Sequence, residues 1–339
     1  MSAHTPTAPV LVTGATGFLG ADLARALLEQ GRPVRILTRT AQPDLDESLA
    51  GAEIAVGDLM DPASLAAALD GIEVAYHCAG VNAFCLPDPG EMYRTNVTGS
   101  ANFMNAAADA GVRRVVYTSS AATIGEASGT IGTEASPHRG GYLSHYERSK
   151  HLAEQRVMQV ARARGLDVVH VNPASVQGPG RTRGTAKLLL AYLNGKLPVL
   201  VQTRLSVVDI ADCTRGHLLA ETRGEPGERY LLCGATMPIQ EAIALLGELA
   251  GVSRTPRLIP GAAARALGAV AGAVGRARGR RSSFCPEMVR TLLHGHTYDG
   301  SRATRDLGLE YTPIRESIDR MVAWYRSEGL LSGGPAGVE

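Results

Sequence analysis

Residues 10–20 read VLVTGATGFLG. Four residues of strand type run into Gly14, Gly17 and Gly20, and a helical pattern then continues to about Gln30. Glycines in such a turn permit positive φ and let a diphosphate come close to the backbone. The helix behind them aims its free N–H groups and positive dipole end at the anion. A glycine triplet by itself is weak evidence. Set after a first strand and opening a helix, it predicts a dinucleotide cradle in which Gly14, Thr16, Gly17, Phe18, Leu19 and Gly20 are the candidate contacts.

Outward from this turn, strand-type and helix-type stretches alternate. PVRILTR (33–39), AEIAVGD (52–58) and IEVAYHCAG (72–80) read as strands, and about Pro89–Ala110 as a helix. RRVVYTSS (113–120), a long helix over about Tyr142–Arg164, and LDVVHVNP (166–173) follow. Such alternation means βαβ units and a parallel sheet. The expectation is an α/β chain: a Rossmann-type doubly wound parallel sheet with a smaller C-terminal α+β substrate lobe. The sheet domain is expected over residues 1–173, with 203–223 returning to it, and the lobe over 174–202 and 224–331. Within that second half the expected elements are a helix at 185–194, a strand at 204–208 and a helix at 209–222. Residues 1–7 and the tail 332–339 read as frayed ends.

The end of the second strand discriminates between cofactors. A carboxylate there would bond the ribose of NAD and repel a 2′-phosphate. The stretch ILTRTAQ has none, and Arg39 offers a planar cation that suits a phosphate. NADP(H) is therefore expected over NAD(H). Asp58 and Leu59 after the third strand, and Ala79 and Gly80 after the fourth, face the same crevice.

Residues 145–150, HYERSK, place Tyr146 and Lys150 four apart on one helix face. A phenol ordinarily titrates near pH 10 and shuttles protons poorly at neutral pH. A neighbouring ammonium favours the phenolate, so Lys150 is expected to lower the pKa of Tyr146 and to hold the nicotinamide ribose. A hydroxyl at the end of the fifth strand would polarise the oxygen that Tyr146 protonates, since open α/β sheets put their chemistry at strand C-termini.

The order TGATGFLG, GDL, NVTGS (96–100), VVYTSS, YERSK, VNPASVQGPG, VVDIADCTRGH and, late in the chain, YDGSRATRDLGLEYTP resembles the extended branch of the short-chain dehydrogenase/reductase superfamily, the NAD-dependent epimerase/dehydratase family. It is most similar to dihydroflavonol-4-reductase-like, 3β-hydroxysteroid-dehydrogenase-like and hopanoid-associated epimerase-like members. The resemblance implies that Ser120 is the catalytic serine beside Tyr146 and Lys150, and that Ser119 makes a structural bond. It implies that Asp58 meets the adenine amino group, that main chain at Asn172 and Pro173 frames the nicotinamide, and that Asn96 is structural. It also implies a homodimer formed through two long helices.

Sugar-nucleotide epimerases of this branch usually carry two arginines for the substrate diphosphate. Here the first is displaced to Arg204, and EMVRTLLHGHT (287–297) supplies no second anchor. The nearby AKLLLAYLNGKLPVLV reads as apolar pocket wall. The expected activity is thus a ketone–alcohol interconversion on a mostly apolar small molecule. A nucleotide-sugar epimerase or dehydratase is the runner-up, and a non-catalytic dinucleotide sensor the third reading.

Bulk properties exclude other classes. The chain has 339 residues, 34 basic against 33 acidic, which is no nucleic-acid binder's balance. Five scattered cysteines without CxxC spacing suggest reduced thiols and a cytoplasmic protein. The N-terminus lacks a signal-peptide pattern, and no run of about 18 apolar residues occurs. His294 and His296 have no third ligand near them in sequence, so they read as structural and no metal is expected. His217 reads as packed. Residues 261–281, GAAARALGAVAGAVGRARGRR, read as a packed Ala/Gly helix with a solvated basic end, the alternative being a helix lying on an anionic lipid surface.

Overall fold

Val10–Thr13 forms β1, every side chain buried, as an apolar strand between two helix-covered faces requires. The computed structural model that shows this describes residues 9–279, 282 and 284–331, so the expected frayed ends, together with Arg280 and Arg281, lie outside the described residues. α1 (Phe18–Glu29), β2 (Val34–Thr38), β3 (Glu53–Val56), α2 (Pro62–Leu69) and β4 (Val74–His77) follow. The expected helix near 89–110 is two α segments, α3 (Gly90–Tyr93) and α4 (Ser100–Asp109), joined by a π turn over Arg94–Gly99. β5 (Arg114–Thr118), α5 (His145–Arg164) and β6 (Asp167–Pro173) complete the alternation.

The second half holds β7 (Ser175–Gln177), α6 (Thr185–Leu193), β8 (Val199–Val201), β9 (Arg204–Asp209), α7 (Ile210–Arg223) and β10 (Arg229–Leu232). After these come β11 (Ala235–Pro238), α8 (Ile239–Ala250), β12 (Arg257–Ile259), α9 (Gly261–Ala277), α10 (Pro286–His294) and α11 (Ile314–Ser327).

The main sheet is parallel throughout, with seven strands among the described residues in the order β10-β6-β5-β4-β1-β2-β3. The order reverses between β1 and β4, and the crevice above such a switch point is where ligands bind in open α/β sheets. Two apolar layers cover the faces. Leu23, Leu27, Cys213 and Ala220 belong to one, on the side of α1 and α7, and Leu65, Phe103, Met104 and Val157 to the other, on the side of α2, α4 and α5.

Three expectations need correction. The strand expected near 204–208 does not return to the main sheet: β9 pairs with β7 and β11 in a separate three-stranded sheet, although its Val208 joins the apolar layer on the side of α1 and α7, and α7 packs back against α1, β5 and β6. The open edge of β6 is taken instead by β10, from a segment assigned to the lobe. Ala303, Leu307 and Leu309, also assigned there, join the core of the sheet domain. A four-residue strand like β10 gives too little pattern to show which sheet it joins, and the burial of Tyr230, Leu231 and Leu232 decides the matter. Finally, the cysteines are not all free. Cys85 and Cys285 form a disulfide, Cα atoms 5.8 Å apart, across 200 residues of sequence, a pairing that no local spacing reveals.

The lobe core gathers Leu189, Tyr192, Leu193, Ile243, Leu246, Met321 and Tyr325 from α6, α8 and α11. α9 sets Gly268 and Gly272 against α10, where an added Cβ would fall within 3 Å of Val289 or Pro286. Its Leu267, Val270 and Val274 are exposed. No helix among the described residues is long and apolar enough to cross a membrane.

Candidate functional site

The glycine turn is built by close approach. Gly14 has φ +75°, and a Cβ there would lie 2.8 Å from the Ala79 backbone nitrogen. A Cβ on Gly20 would lie 2.3 Å from the Gly14 carbonyl oxygen. The turn is thus pressed between the exit of β4 and its own helix. Gly17 caps α1 without a side chain, and Ala21 makes the first helical bond back to Gly17. The amides of Phe18, Leu19 and Gly20 precede that bond and face the crevice end of the helix, an arrangement that suits a dinucleotide diphosphate. Thr13 Oγ1 ties the two strand ends together, contacting His77 Nδ1 at 2.9 Å and accepting from the Ala79 amide at 3.0 Å. Burial takes the pKa of His77 down to about 3, so this link is neutral.

Around the crevice, Arg39 is exposed and makes no hydrogen bond or ion pair among the described residues. Asp58 accepts from the Met60 amide at 2.8 Å, while Asp61 caps α2. Leu59 packs against Gly99. Gly80 lies beside Asn96, whose side chain brackets Val81 N and O and donates to Ser149 Oγ at 2.9 Å. Asn96 thereby fastens the exit of β4 to α5, which is the structural role expected of it.

Ser120, Tyr146 and Lys150 come together at the C-terminal ends of β5 and β4. Ser120 follows the end of β5 by two residues and caps a short turn over Ala121–Ile124, accepting from Ala122 N at 3.3 Å. Tyr146 lies in the first turn of α5. That turn is fixed by Ser144, which accepts from Glu147 N at 3.1 Å, and by Glu147, which accepts from Leu143 N at 2.8 Å, a capping-box pattern shifted by one residue. The phenol lies beside the Ser120 side chain. Burial raises its pKa, and the Ser120 hydroxyl and the charge of Arg181 pull against that rise. Lys150 is buried, donating to Thr118 O at 2.8 Å, and its Nζ stands 4.9 Å from the Tyr117 ring centre. Burial takes its pKa down to about 8, with Glu154 and Cys78 acting the other way.

Three arginines, Arg181, Arg183 and Arg204, lie in the segments that follow β7 and β8. Arg183 and Arg204 are exposed, and Arg181 alone turns inward. Its guanidinium lies 5.4 Å over the Phe18 ring, and its Nε is buried with no hydrogen-bond partner. In the apolar stretch after it, Leu189, Tyr192, Leu193 and Leu200 pack in the lobe core, and Leu189 also lines an apolar cavity with Leu205, Met237 and Met321.

Beneath Ser120 lies a buried polar layer that sequence reasoning missed. Glu154 accepts from Asn172 Nδ2 at 2.7 Å, from Thr123 Oγ1 at 3.0 Å, from Ser119 Oγ and from Arg229 Nη1 at 3.2 Å. Asn172 Nδ2 also reaches the Ser120 carbonyl at 3.2 Å. The Asn172 side chain therefore braces the serine, and Pro173 ends β6 beside it. One signal was available: Glu154 follows Lys150 by four residues, on the inward face of α5. His217 is buried, 2.9 Å from Thr118 Oγ1, as a packed residue.

The lobe meets this site through α10. Phe84 sets its ring 6.0 Å from that of Tyr146, next to the Cys85–Cys285 bridge. Glu287 accepts from His145 N at 3.1 Å and from Cys85 N. His294 and His296 do have a third polar neighbour: Glu126, 168 and 170 residues away in sequence.

The family model for the NAD-dependent epimerase/dehydratase family matches residues 10–233. Sterol demethylase protein B of Methylococcus capsulatus is 35% identical over 328 residues, covering 95% of this chain and 99% of that protein. A ketoreductase of Stigmatella aurantiaca, named for 4-hydroxy-2-methyl-3-oxo-4-farnesyl-3,4-dihydroquinoline-1-oxide, is 29% identical and covers 96% of both chains. Among solved structures, one described as a nucleoside-diphosphate-sugar epimerase from Pseudomonas aeruginosa is 28% identical with a TM-score of 0.79, covering 97% of this chain and 100% of that one. With the parallel sheet, the glycine cradle and this full-length likeness, the chain belongs to the NAD-dependent epimerase/dehydratase family and is an NAD(P)-dependent oxidoreductase of the extended short-chain dehydrogenase/reductase type.

Proposed function

We propose that the protein is an NADP-dependent reductase that interconverts a ketone and a secondary alcohol on a mostly apolar small molecule. The observation that carries this reading is the Tyr146 phenol, which burial keeps protonated, set beside Ser120 at the mouth of a dinucleotide cradle. A protonated phenol is the form that can give a proton to a carbonyl oxygen. The bound nicotinamide supplies the hydride to the carbonyl carbon. Tyr146 Oη donates its proton to the substrate oxygen, and Ser120 Oγ orients that oxygen. Lys150, charged below its pKa of about 8, would hold the nicotinamide ribose, and the charge of Arg181 stabilises the phenolate left behind.

The amides of Phe18, Leu19 and Gly20 would hold the diphosphate, with Gly14, Thr16 and Gly17 shaping the cradle. Asp58 and Leu59 would meet the adenine, Ala79 and Gly80 would lie along the crevice, and main chain at Asn172 and Pro173 would flank the nicotinamide. Arg39, unpaired at the end of β2 with no carboxylate beside it, favours a 2′-phosphate. For the substrate, the Phe84 ring beside Tyr146 supports an apolar body, and the full-length likeness to a ketoreductase supports the reaction class.

The nucleotide-sugar epimerase reading draws on Arg181, a largely buried cation with an orphaned Nε, and on the Pseudomonas aeruginosa likeness. Two phosphates call for more than one such cation. Calorimetric titration of the NADP⁺ complex with UDP separates the readings: no detectable heat is expected, and micromolar binding would promote the epimerase.

A further inference from the structure

Where the connection between Ser120 and Tyr146 meets the end of α10, three metal-ligating side chains converge from distant parts of the chain. Glu126 follows Gly125, whose φ of +61° ends the short turn after Ser120. His294 is the last residue of α10, capped by Gly295 at φ +67°, and His296 stands two residues on. Glu126 Oε1 lies 3.2 Å from His294 Nε2 and 2.6 Å from His296 Nδ1. All three donor atoms fall within 4.8 Å of one another. The side chain of Glu126 is 1% exposed, that of His294 7% and that of His296 18%, so the cluster is enclosed but reachable along His296.

Protons alone satisfy this cluster poorly. Both imidazoles crowd onto one carboxylate oxygen, while Glu126 Oε2 is buried with no hydrogen-bond partner. His296 Nδ1 also has the Tyr298 hydroxyl at 2.9 Å, yet one ring nitrogen is either donor or acceptor, not both. A cation changes the accounting, since it takes a lone pair from each imidazole and from the carboxylate at once. Zinc ligands at about 2.0–2.1 Å from the metal in tetrahedral array stand about 3.3 Å apart. The His294–Glu126 separation already has that value, and the His296 contact needs only a small opening. Arg139, which donates to the Glu126 carbonyl at 3.2 Å, has its charge matched by an ion pair with Glu147.

We propose that Glu126, His294 and His296 form a binding site for a divalent cation of the zinc class, with the fourth position open to the Tyr298 hydroxyl or to water. Two imidazoles exclude calcium and magnesium as the preferred ions. The site's place in the fold makes it a staple rather than a reaction centre. It joins the 121–144 connection to the lobe beside a bridge already made by Gly132 N to Thr297 O at 2.8 Å and Asp299 N to Gly132 O at 3.0 Å.

The test uses full-length, tag-free protein, stripped with a chelator and kept oxidised so that the Cys85–Cys285 bridge stays closed. Co²⁺ titration should give visible d–d bands of nitrogen/oxygen ligation that Zn²⁺ abolishes, and metal analysis after gel filtration should find one Zn²⁺ per chain. Glu126→Gln, close to isosteric, should weaken binding at least tenfold, as should His294→Asn should the first variant fold poorly. Absence of d–d bands in the wild-type protein would overturn the proposal. So would a sulfur-to-cobalt charge-transfer band, which would assign the ion to cysteines, or undiminished affinity in a folded variant.

Discussion

Tyr146 is where the chemistry proposed for this protein becomes testable at single-residue resolution. Tyr146→Phe keeps the ring against Phe84 and removes only the transferable proton. Turnover should fall by about 10²–10⁴-fold, the usual worth of a general acid. NADPH affinity, read by fluorescence titration, should hardly change. Retention of most of the wild-type rate would show that another group carries the proton. Lys150 brings a pH dependence. Its folded pKa, about 8, lies below the ordinary lysine value, so the ammonium is present below pH 8 and is lost as pH rises through it. Cofactor affinity of the free protein should weaken across that interval, and Lys150→Ala should remove the step. A profile unchanged by Lys150→Ala would dissociate the lysine from cofactor binding. At Arg39 the expected effect is on preference: Arg39→Asp should weaken NADPH against NADH by tenfold or more, since one charge-assisted contact is worth about 1.5–3 kcal/mol. Equal loss for both cofactors would leave Arg39 without that role.

At the scale of elements, α5 carries more than its first turn. Tyr146, Lys150 and Glu154 lie four residues apart along one face, and the last braces Ser119, Thr123 and Asn172 under Ser120. Glu154→Ala leaves those donors and Arg229 without their acceptor. Breaking a buried pair costs about 3–5 kcal/mol. Arg229 is 26% exposed and can rehydrate, so the low end, about 3 kcal/mol, is expected in urea denaturation. A loss under about 1 kcal/mol would mean that the layer is not holding the serine. The carboxyl of Glu154 is held below its usual range despite its burial, by His170, Arg229, Ser119 and Asn172. This stabilisation is present above the ordinary carboxylate pKa and is lost as pH falls through the lower folded value.

The same helix shows what sequence could and could not reveal. The positions of β1, α1, β6, α6 and α7 were legible because period, glycines and caps agree there. Glu154 was hidden because a charged residue in a helical run reads as solvated until its burial is known. β10 was hidden because a four-residue strand does not say which edge it joins. The Glu126–His294–His296 cluster and the Cys85–Cys285 bridge were hidden because contacts across about 170 to 200 residues leave no local pattern.

Across the whole molecule, two halves meet over one crevice. The glycine turn and strand ends belong to the sheet domain, whereas Arg181, Cys285 and Glu287 arrive from the second half. The disulfide ties these halves through the segment that carries Phe84. Disulfides contribute about 2–5 kcal/mol to folds, and a loop of this length stands at the upper end in the chain-entropy account. Cys285→Ser should therefore lower stability by an amount in that range, measured under oxidising conditions, and added reductant should then have little further effect. Equal stability of the two proteins would show that the bridge constrains nothing.

The central claim is net reduction of an apolar carbonyl, and cofactor stoichiometry tests it most directly. Purified protein is mixed with NADPH and a bulky apolar ketone, and in parallel with UDP- and dTDP-sugars, while NADPH loss and product are followed together. One alcohol formed per NADPH consumed, with the sugars untouched, is the expected result. Conversion of a nucleotide sugar without net NADPH consumption, and no alcohol from any ketone, would contradict the account.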